Sequence, residues 1–340
     1  MSQIVRVWTD GCFDMVHYGH CNAIRQAKEL GDYLIVGVHS DAEILKHKGP
    51  PVFNERERYD MIRALKWVDE VIEDAPYITS IDTLNKYNCD FCVHGDDITL
   101  TSDGKDTYEI VKNLNRYREI PRTKGISTTD LVGRMLLATK KHHEVDEDVL
   151  YGDYQSTTFF HVIFRPVISI IFSINTLKSP YTGSQYYATT GMIEMFSKNK
   201  ENIAKQNIVY VDGGFDMCLN VSFTRVLEES ATHGDFLIVG VQSDSLINKI
   251  KGGNNPIMNM HERVLGVLAN KHTCEVVMNS PYCITPSLVS QFNISKICCC
   301  SDQYDNDRFK HVREMGILVK LNISTLSSVD VILNRMISNR

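Results

Sequence analysis

Gly31–Val38 reads GDYLIVGV, and Gly234–Val241 reads GDFLIVGV, displaced by 234 − 31 = 203 positions. Each is an almost unbroken apolar run behind a Gly-Asp turn, the pattern of a strand covered on both faces of a parallel sheet. The likeness continues outward from this pair. Asp10–Met15 (DGCFDM) recurs as Asp212–Met217 (DGGFDM), at 212 − 10 = 202. Glu57–Arg58 recurs as Glu262–Arg263 and Pro76–Tyr77 as Pro281–Tyr282, both at 262 − 57 = 205. So small a drift is what short loop insertions leave between two copies of one unit.

Within the first copy, strand-like and helix-like stretches alternate. Ile4–Trp8, Tyr33–Val38, Val68–Ile72 and Phe91–Val93 read as strands. His20–Leu30, Glu55–Trp67, Ile81–Tyr87 and Thr128–Thr139 have helical spacing, the last with Ser127 or Thr128 as its N-cap. Alternation of this kind implies an α/β class: two tandem Rossmann-like, doubly wound parallel-sheet domains. The boundaries expected are 1–143 for the first domain, 144–207 for a linker and 208–340 for the second. Inside the linker, Phe159–Ile174 (FFHVIFRPVISIIFSI) is apolar but short for a membrane span, and His161, Arg165 and Pro166 interrupt it. Its β-branched bias suits strands or a segment packed between domains, and weighs against membrane contact.

A length of 340 residues accommodates two cores of ordinary size. The formal charge of −6 excludes broad nucleic-acid binding, though not an anionic substrate held at a locally basic site. Of the ten cysteines, Cys89 and Cys92 form a Cys-x-x-Cys pair without a matching second pair, and Cys298–Cys300 are consecutive at an expected strand end. Buried free thiols in a reducing compartment account for them better than zinc does. Gln3–Trp8 leads directly into a strand pattern rather than a signal peptide, so the expected location is cytoplasmic.

The richest chemistry lies just after the first strand: Asp10, Gly11, Cys12, Phe13, Asp14, then His17-Tyr18-Gly19-His20. Ligands of an open α/β sheet bind beyond the C-terminal strand ends, where the next helix turns its free amides outward. A lone histidine there reads as structural. Two of them flanking a glycine can face one anion, with the backbone close to it. Lys46 and Lys48 precede a Gly-Pro-Pro turn on the same side. Arg122-Thr123-Lys124-Gly125-Ile126-Ser127-Thr128 offers a guanidinium fork and a helix start rich in hydroxyls. A capping loop accounts for Ser127 and Thr128 but not for Arg122. No P-loop, dinucleotide fingerprint, Ser-His-Asp order or zincin motif is present.

His17–His20 and Arg122–Thr128, in this order and about a hundred residues apart, resemble the two defining motifs of the cytidylyltransferases in the HxGH nucleotidyltransferase superfamily. The duplication and Tyr87–Ile98 (YNCDFCVHGDDI) are similar to the ethanolamine-phosphate branch of that family. The resemblance implies attack of a phosphomonoester oxygen on the α-phosphorus of CTP, with loss of pyrophosphate. A phosphate with a second pKa of about 6 is already ionised, so no general base is needed. It further implies His17, His20, Lys48 and Arg122 as catalytic residues. Cys12, Phe13, Asp14, His20, Lys46, Gly95, Asp96, Arg122, Thr123, Gly125, Ser127 and Thr128 would hold CTP. Lys48 and Tyr77 would hold the acceptor, phosphoethanolamine. Magnesium is expected on CTP oxygens with no protein ligand, and a homodimer is expected as well.

Choline-phosphate members carry a Trp at the position of Tyr77 and an aromatic near Leu100. Their absence here leans toward a primary ammonium over a quaternary one, with Asp14 as a candidate acceptor. Phosphocholine, glycerol 3-phosphate and a non-catalytic regulatory role are the rival readings. In the second copy, the motif alignment puts Leu219 at the place of His17, Ser222 at that of His20, Val319 at that of Arg122 and Asn322 at that of Gly125. Lys249 and Lys251 survive. That copy is therefore expected to be inactive.

Overall fold

The computed structural model describes residues 4–96, 106–136, 186–197, 207–217, 221–323 and 329–338. Phe159–Ile174 and Leu100 lie outside them. The first copy runs β1 (Arg6–Gly11), α1 (Tyr18–Glu29), β2 (Tyr33–Val38), α2 (Asp41–His47), α3 (Glu55–Arg63), β3 (Glu70–Glu73), α4 (Ile81–Lys86), β4 (Phe91–Gly95), α5 (Glu109–Asn113), β5 (Tyr117–Ile120) and α6 (Thr128–Leu136). After α7 (Tyr186–Ser197), the second copy repeats the order. It comprises β6 (Ile208–Gly213), α8 (Val221–Ala231), β7 (Phe236–Val241), α9 (Asp244–Lys251), α10 (Met260–Ala269), β8 (Glu275–Met278), α11 (Pro286–Gln291), β9 (Ile294–Cys299), α12 (Lys310–Glu314), β10 (Leu318–Lys320) and α13 (Val329–Ser338).

Both sheets are parallel and five-stranded, ordered β3-β2-β1-β4-β5 and β10-β9-β6-β7-β8. The order reverses between β1 and β4, and again between β6 and β9, which opens a crevice at those strand ends. β2 is buried along nearly its whole length, as its apolar run predicts. β1 extends past Trp8 to include Asp10 and Gly11, because the buried Asp10 carboxylate accepts hydrogen bonds from Thr79 Oγ1 and, at 2.8 Å, from the Tyr108 hydroxyl. Lys46 lies in the last turn of α2, which Ser40 caps at its start, and Lys48 is the C-cap before the Gly-Pro-Pro turn. β5, whose Tyr-Arg-Glu-Ile carries only weak alternation, was not anticipated, yet it delivers the chain to Arg122.

The copies meet through a local twofold axis. Leu65 and Asn270 are equivalent residues (270 − 65 = 205) and form an antiparallel bridge. Lys66 N–H donates to Ala269 O at 3.0 Å, and Lys271 N–H to Ala64 O at 2.8 Å, each bond the image of the other. Arg134 on α6 crosses to Glu262 of α10 at 2.7 and 3.0 Å, and Arg335 on α13 crosses to Glu57 of α3 at 2.8 and 2.9 Å. Both glutamates are also the N3 residues of capping boxes, with Asn259 and Asn54. One core spans the seam, including Ile62, Trp67 and Leu265. Phe196 of α7 joins it, edge-on to Trp67 at 5.0 Å between centroids. Residue 196 therefore packs within this core although 144–207 was expected as linker. Among the described residues, no helix is long and apolar enough to cross a membrane.

The two images differ in burial: the Glu262 side chain is 4% exposed, whereas Arg335 and Glu57 are 40% and 21% exposed. Burial pushes the Glu262 carboxyl above its ordinary range, and Arg134 pulls it back. Removing one partner of a buried pair leaves a desolvated charge, at a cost of about 3–5 kcal/mol, whereas an exposed pair contributes up to about 1 kcal/mol. In urea unfolding, Arg134→Leu should fall in the larger range and Arg335→Leu in the smaller.

Candidate active site

The turn after β1 holds Phe13 and Met15 at φ of +49° and +48°, and the second copy repeats it at Phe215 and Met217, φ +49° and +53°. Arg58 explains its rigidity. This buried guanidinium donates to Cys12 O and His39 O, both at 2.7 Å, to Phe53 O at 3.1 Å and to Asp41 at 2.8 Å. Asp14 completes the brace by accepting from the amides of Val52 and Phe53 at 2.8 and 2.9 Å. Asp216 does the same for Ile257 and Met258 at 2.7 and 2.9 Å. The Asp14 carboxylate is thus engaged in holding a loop, and the same bond persists in the copy without the histidines.

His17 is the N-cap of α1. Its Nδ1 accepts from Gly19 N–H at 3.1 Å, while His20 Nδ1 accepts from His17 N–H at 3.4 Å. The two rings stack at 4.0 Å between centroids. An N–H donor requires an unprotonated acceptor, so each ring carries its proton on Nε2. Burial holds His17 well below the usual histidine range, with His20, Arg122 and Arg134 adding to that. A side chain at Gly19 would meet Ile126 at 2.8 Å and the His17 ring at 2.9 Å. Glycine here seats the imidazole as well as leaving the backbone open.

Arg122–Thr128 closes over this helix start. Arg122 N–H donates to Asp96 at 3.0 Å, and Asn22 on α1 donates to Thr123 Oγ1 at 2.9 Å. Gly125 turns the chain at φ +83°. Ser127 Oγ donates to Asp130 at 2.7 Å, and Thr128 Oγ1 to Asp14 O at 3.4 Å. Gly95 ends β4 beside Asp96. Across the crevice, Lys48 Nζ lies 6.0 Å from the Tyr77 ring centre and lowers a Cys12 thiol that burial raises. Tyr77 stacks on His47 at 3.9 Å and tilts against His39 at 5.2 Å.

The structure thus gathers His17, His20, Arg122, Thr123 and Thr128 on one side and Cys12, Lys48 and Tyr77 on the other. Lys46 is 64% exposed and paired with Glu43 on the same helix. Arg58, Asn22, Ile126 and His39 were missed, although the recurrence of Arg58 as Arg263 marked one of them. Cys89, Cys92, Cys298 and Cys299 lie in or beside strands. Burial pushes Cys89 and Cys298 up to about 11 and Cys92 and Cys299 up to about 12.

The second copy corrects the motif alignment. Buried Cys21, Ile24 and Ala27 of α1 correspond to buried Thr224, Leu227 and Ser230 of α8 at an offset of 224 − 21 = 203. That register puts Phe223, not Ser222, in the place of His20. Phe215 meets Phe223 at 5.5 Å, as Phe13 meets His20 at 5.8 Å. Cys92 pairs with Tyr117, and its equivalent Ile297 with Leu318, an offset of 318 − 117 = 201 in the last strand. Arg335 keeps that offset from Arg134. Arg122 therefore matches Ile323, and Val319 matches Arg118. An apolar ring and an aliphatic chain cannot donate to phosphate, so the expectation of inactivity rests on a different pair of residues.

A profile for cytidylyltransferase-like proteins matches residues 8–134 and 210–336. The ethanolamine-phosphate cytidylyltransferase of Mus musculus is 46% identical over 100% of this chain and 87% of its own length. That of Dictyostelium discoideum is 43% identical over 99% and 91%. The chain belongs to this family. Choline-phosphate cytidylyltransferase 2 of Arabidopsis thaliana is 44% identical, but over 39% of this chain and 45% of its own.

Two outcomes follow from the geometry. Gly19→Ala should displace the His17 ring and lower kcat/KM roughly 100-fold, the scale of an ångström-sized misplacement, while the urea midpoint stays near the parent's. Below pH 6.5 the unfolded chain takes up a proton at residue 17 that the folded chain refuses. The stability this site contributes is thus full above that pH and lost as pH falls toward the depressed folded value. Unfolding free energies of His17→Gln should therefore decline less than the parent's between about pH 7 and about pH 5.

Proposed function

We propose that the first copy transfers the cytidylyl group of CTP to phosphoethanolamine, giving CDP-ethanolamine for phosphatidylethanolamine synthesis and releasing pyrophosphate. The observation that carries this is the pair of stacked imidazoles at the start of α1, each accepting at Nδ1 and so protonated at Nε2, with Arg122 close enough to act on His17. Charge on the transferring phosphoryl group grows where neutral donors already point, so little reorganisation accompanies the reaction. A neutral His17 donates without titrating near pH 7. Full-length similarity to ethanolamine-phosphate enzymes supports the choice of acceptor.

Lys48 supplies the charge that draws the phosphomonoester toward the α-phosphorus. Tyr77 is flanked by His39 and His47 and offers one phenol ring to the ammonium end. Magnesium fits as an ion carried in on CTP. Asp14 and Asp10 are occupied with protein donors, and Asp96 accepts from Arg122, so phosphate oxygens are its natural ligands.

Pyrophosphate release with CTP and Mg²⁺ should be fastest with phosphoethanolamine and much slower with phosphocholine or glycerol 3-phosphate. His20→Ala should lose roughly 100-fold or more in kcat, the scale for one positioned donor. Preference for another acceptor would keep the cytidylyl transfer and overturn the acceptor assignment. Turnover of His20→Ala within a few-fold of the parent would refute the donor role.

A further inference from the structure

α6 connects the histidine pair to the second copy. Its first turn carries Thr128, whose hydroxyl donates to Asp14 O in the turn after β1. Just before it, Ile126 lies so close to Gly19 that an added Cβ there would meet it at 2.8 Å. The starts of α1 and α6 thus converge, and two helix N-termini side by side favour a polyanion. Six residues further on (134 − 128 = 6), about 9 Å along the helix axis, the second copy takes hold of Arg134. Glu262 accepts from both ends of its fork at 2.7 and 3.0 Å, and Ile257 O accepts at 3.4 Å. Asn254 donates to the Arg134 carbonyl.

Glu262 is the firmest of these contacts. Its carboxylate also accepts from Asn259 N–H at 2.9 Å as the N3 residue of the α10 capping box, and its side chain is 4% exposed. It therefore sets the position of Arg134 rather than adapting to it. Leu131 and Met135 bury the same helix in the common core. Apolar packing has little directionality, so it governs how deep α6 lies. A two-point fork on a carboxylate is directional and fixes the rotation and height of the helix too. The histidine helix borders the same seam, because α1 packs on α10. Arg134 acts on His17 from there, and the Tyr18 hydroxyl is raised chiefly by burial and next by Glu262.

We propose that Glu262 is a positioning residue for CTP binding in the first copy, acting through Arg134 to set where the start of α6 meets the histidine pair. The second copy thereby supplies a residue on which the active crevice depends. The inference rests on the reading that the first copy binds CTP.

Equilibrium dialysis of the full chain against CTP and Mg²⁺, without acceptor, tests it. Glu262→Gln keeps an acceptor for the capping box but takes the second oxygen, and the charge, from Arg134. Its CTP dissociation constant should rise roughly tenfold, the scale of one hydrogen bond to a charged group, while the number of sites per chain stays at the parent's. Partial unfolding alone would lower that number and spare the constant. Arg335→Leu breaks the image pair and should bind CTP as the parent does. Arg134→Leu/Glu262→Gln should lose no more than Arg134→Leu alone, because the two residues act as one unit. Parent-like affinity in Glu262→Gln, an equal loss in Arg335→Leu, or additive losses in the double variant would overturn the proposal. Arg134→Lys, which keeps the charge but not the fork, serves if Glu262→Gln does not fold. A smaller loss is expected there, and parent-like affinity again overturns the proposal. A parent that binds CTP without transferring it to phosphoethanolamine would sink the proposed function and leave this inference to the dissociation constants. A parent that binds no CTP would sink both.

Discussion

Much of the structure depends on a buried guanidinium. Arg58 ties the turn after β1, the end of β2, the start of α2 and the loop before α3 into one brace. Arg263 does the same in the second copy, donating to Met258 O, Gly214 O, Gln242 O and Asp244. A charge with no solvent contact is tolerable only when its donors are satisfied, so these carbonyls have little freedom to move. The positive-φ turn that carries Cys12 and Phe13 is held in place by that requirement.

Because the brace is common to both copies, it belongs to the fold rather than to catalysis. Set on it in the first copy are an imidazole N-cap, a second imidazole stacked on the first, and a strand-to-helix loop that begins beside Arg122. The second copy keeps the brace and replaces the additions with Phe223 and Ile323. Its α10 meanwhile anchors Arg134, on the helix whose first turn holds Thr128 at the site. A copy with Phe223 and Ile323 in the places of His20 and Arg122 therefore still helps to position α6 of the first.

The repeat, the parallel strands and the pair of motifs were legible because they are local and periodic. β2 needed only an apolar run. His17 and His20 needed only their spacing around Gly19. β5 and α2 escaped because their burial comes from neighbours far away in sequence, and residues 117–120 and 41–47 have weak patterns of their own. The alignment of the second copy misplaced two partners for a similar reason: it matched letters, whereas helix burial and strand register fix which residues share a position.

Sequence by itself determined the duplication, the α/β class, the family and the identity of the histidine and arginine motifs, all properties of order along the chain. Only the tertiary structure decided which nitrogen of each imidazole carries the proton, that Asp14 serves a loop, that Lys46 pairs with Glu43, and that the copies meet across a twofold axis. Those are facts of distance and burial. They arise where residues remote in sequence compete for the same donors and acceptors, and no spacing along one chain encodes the outcome of that competition.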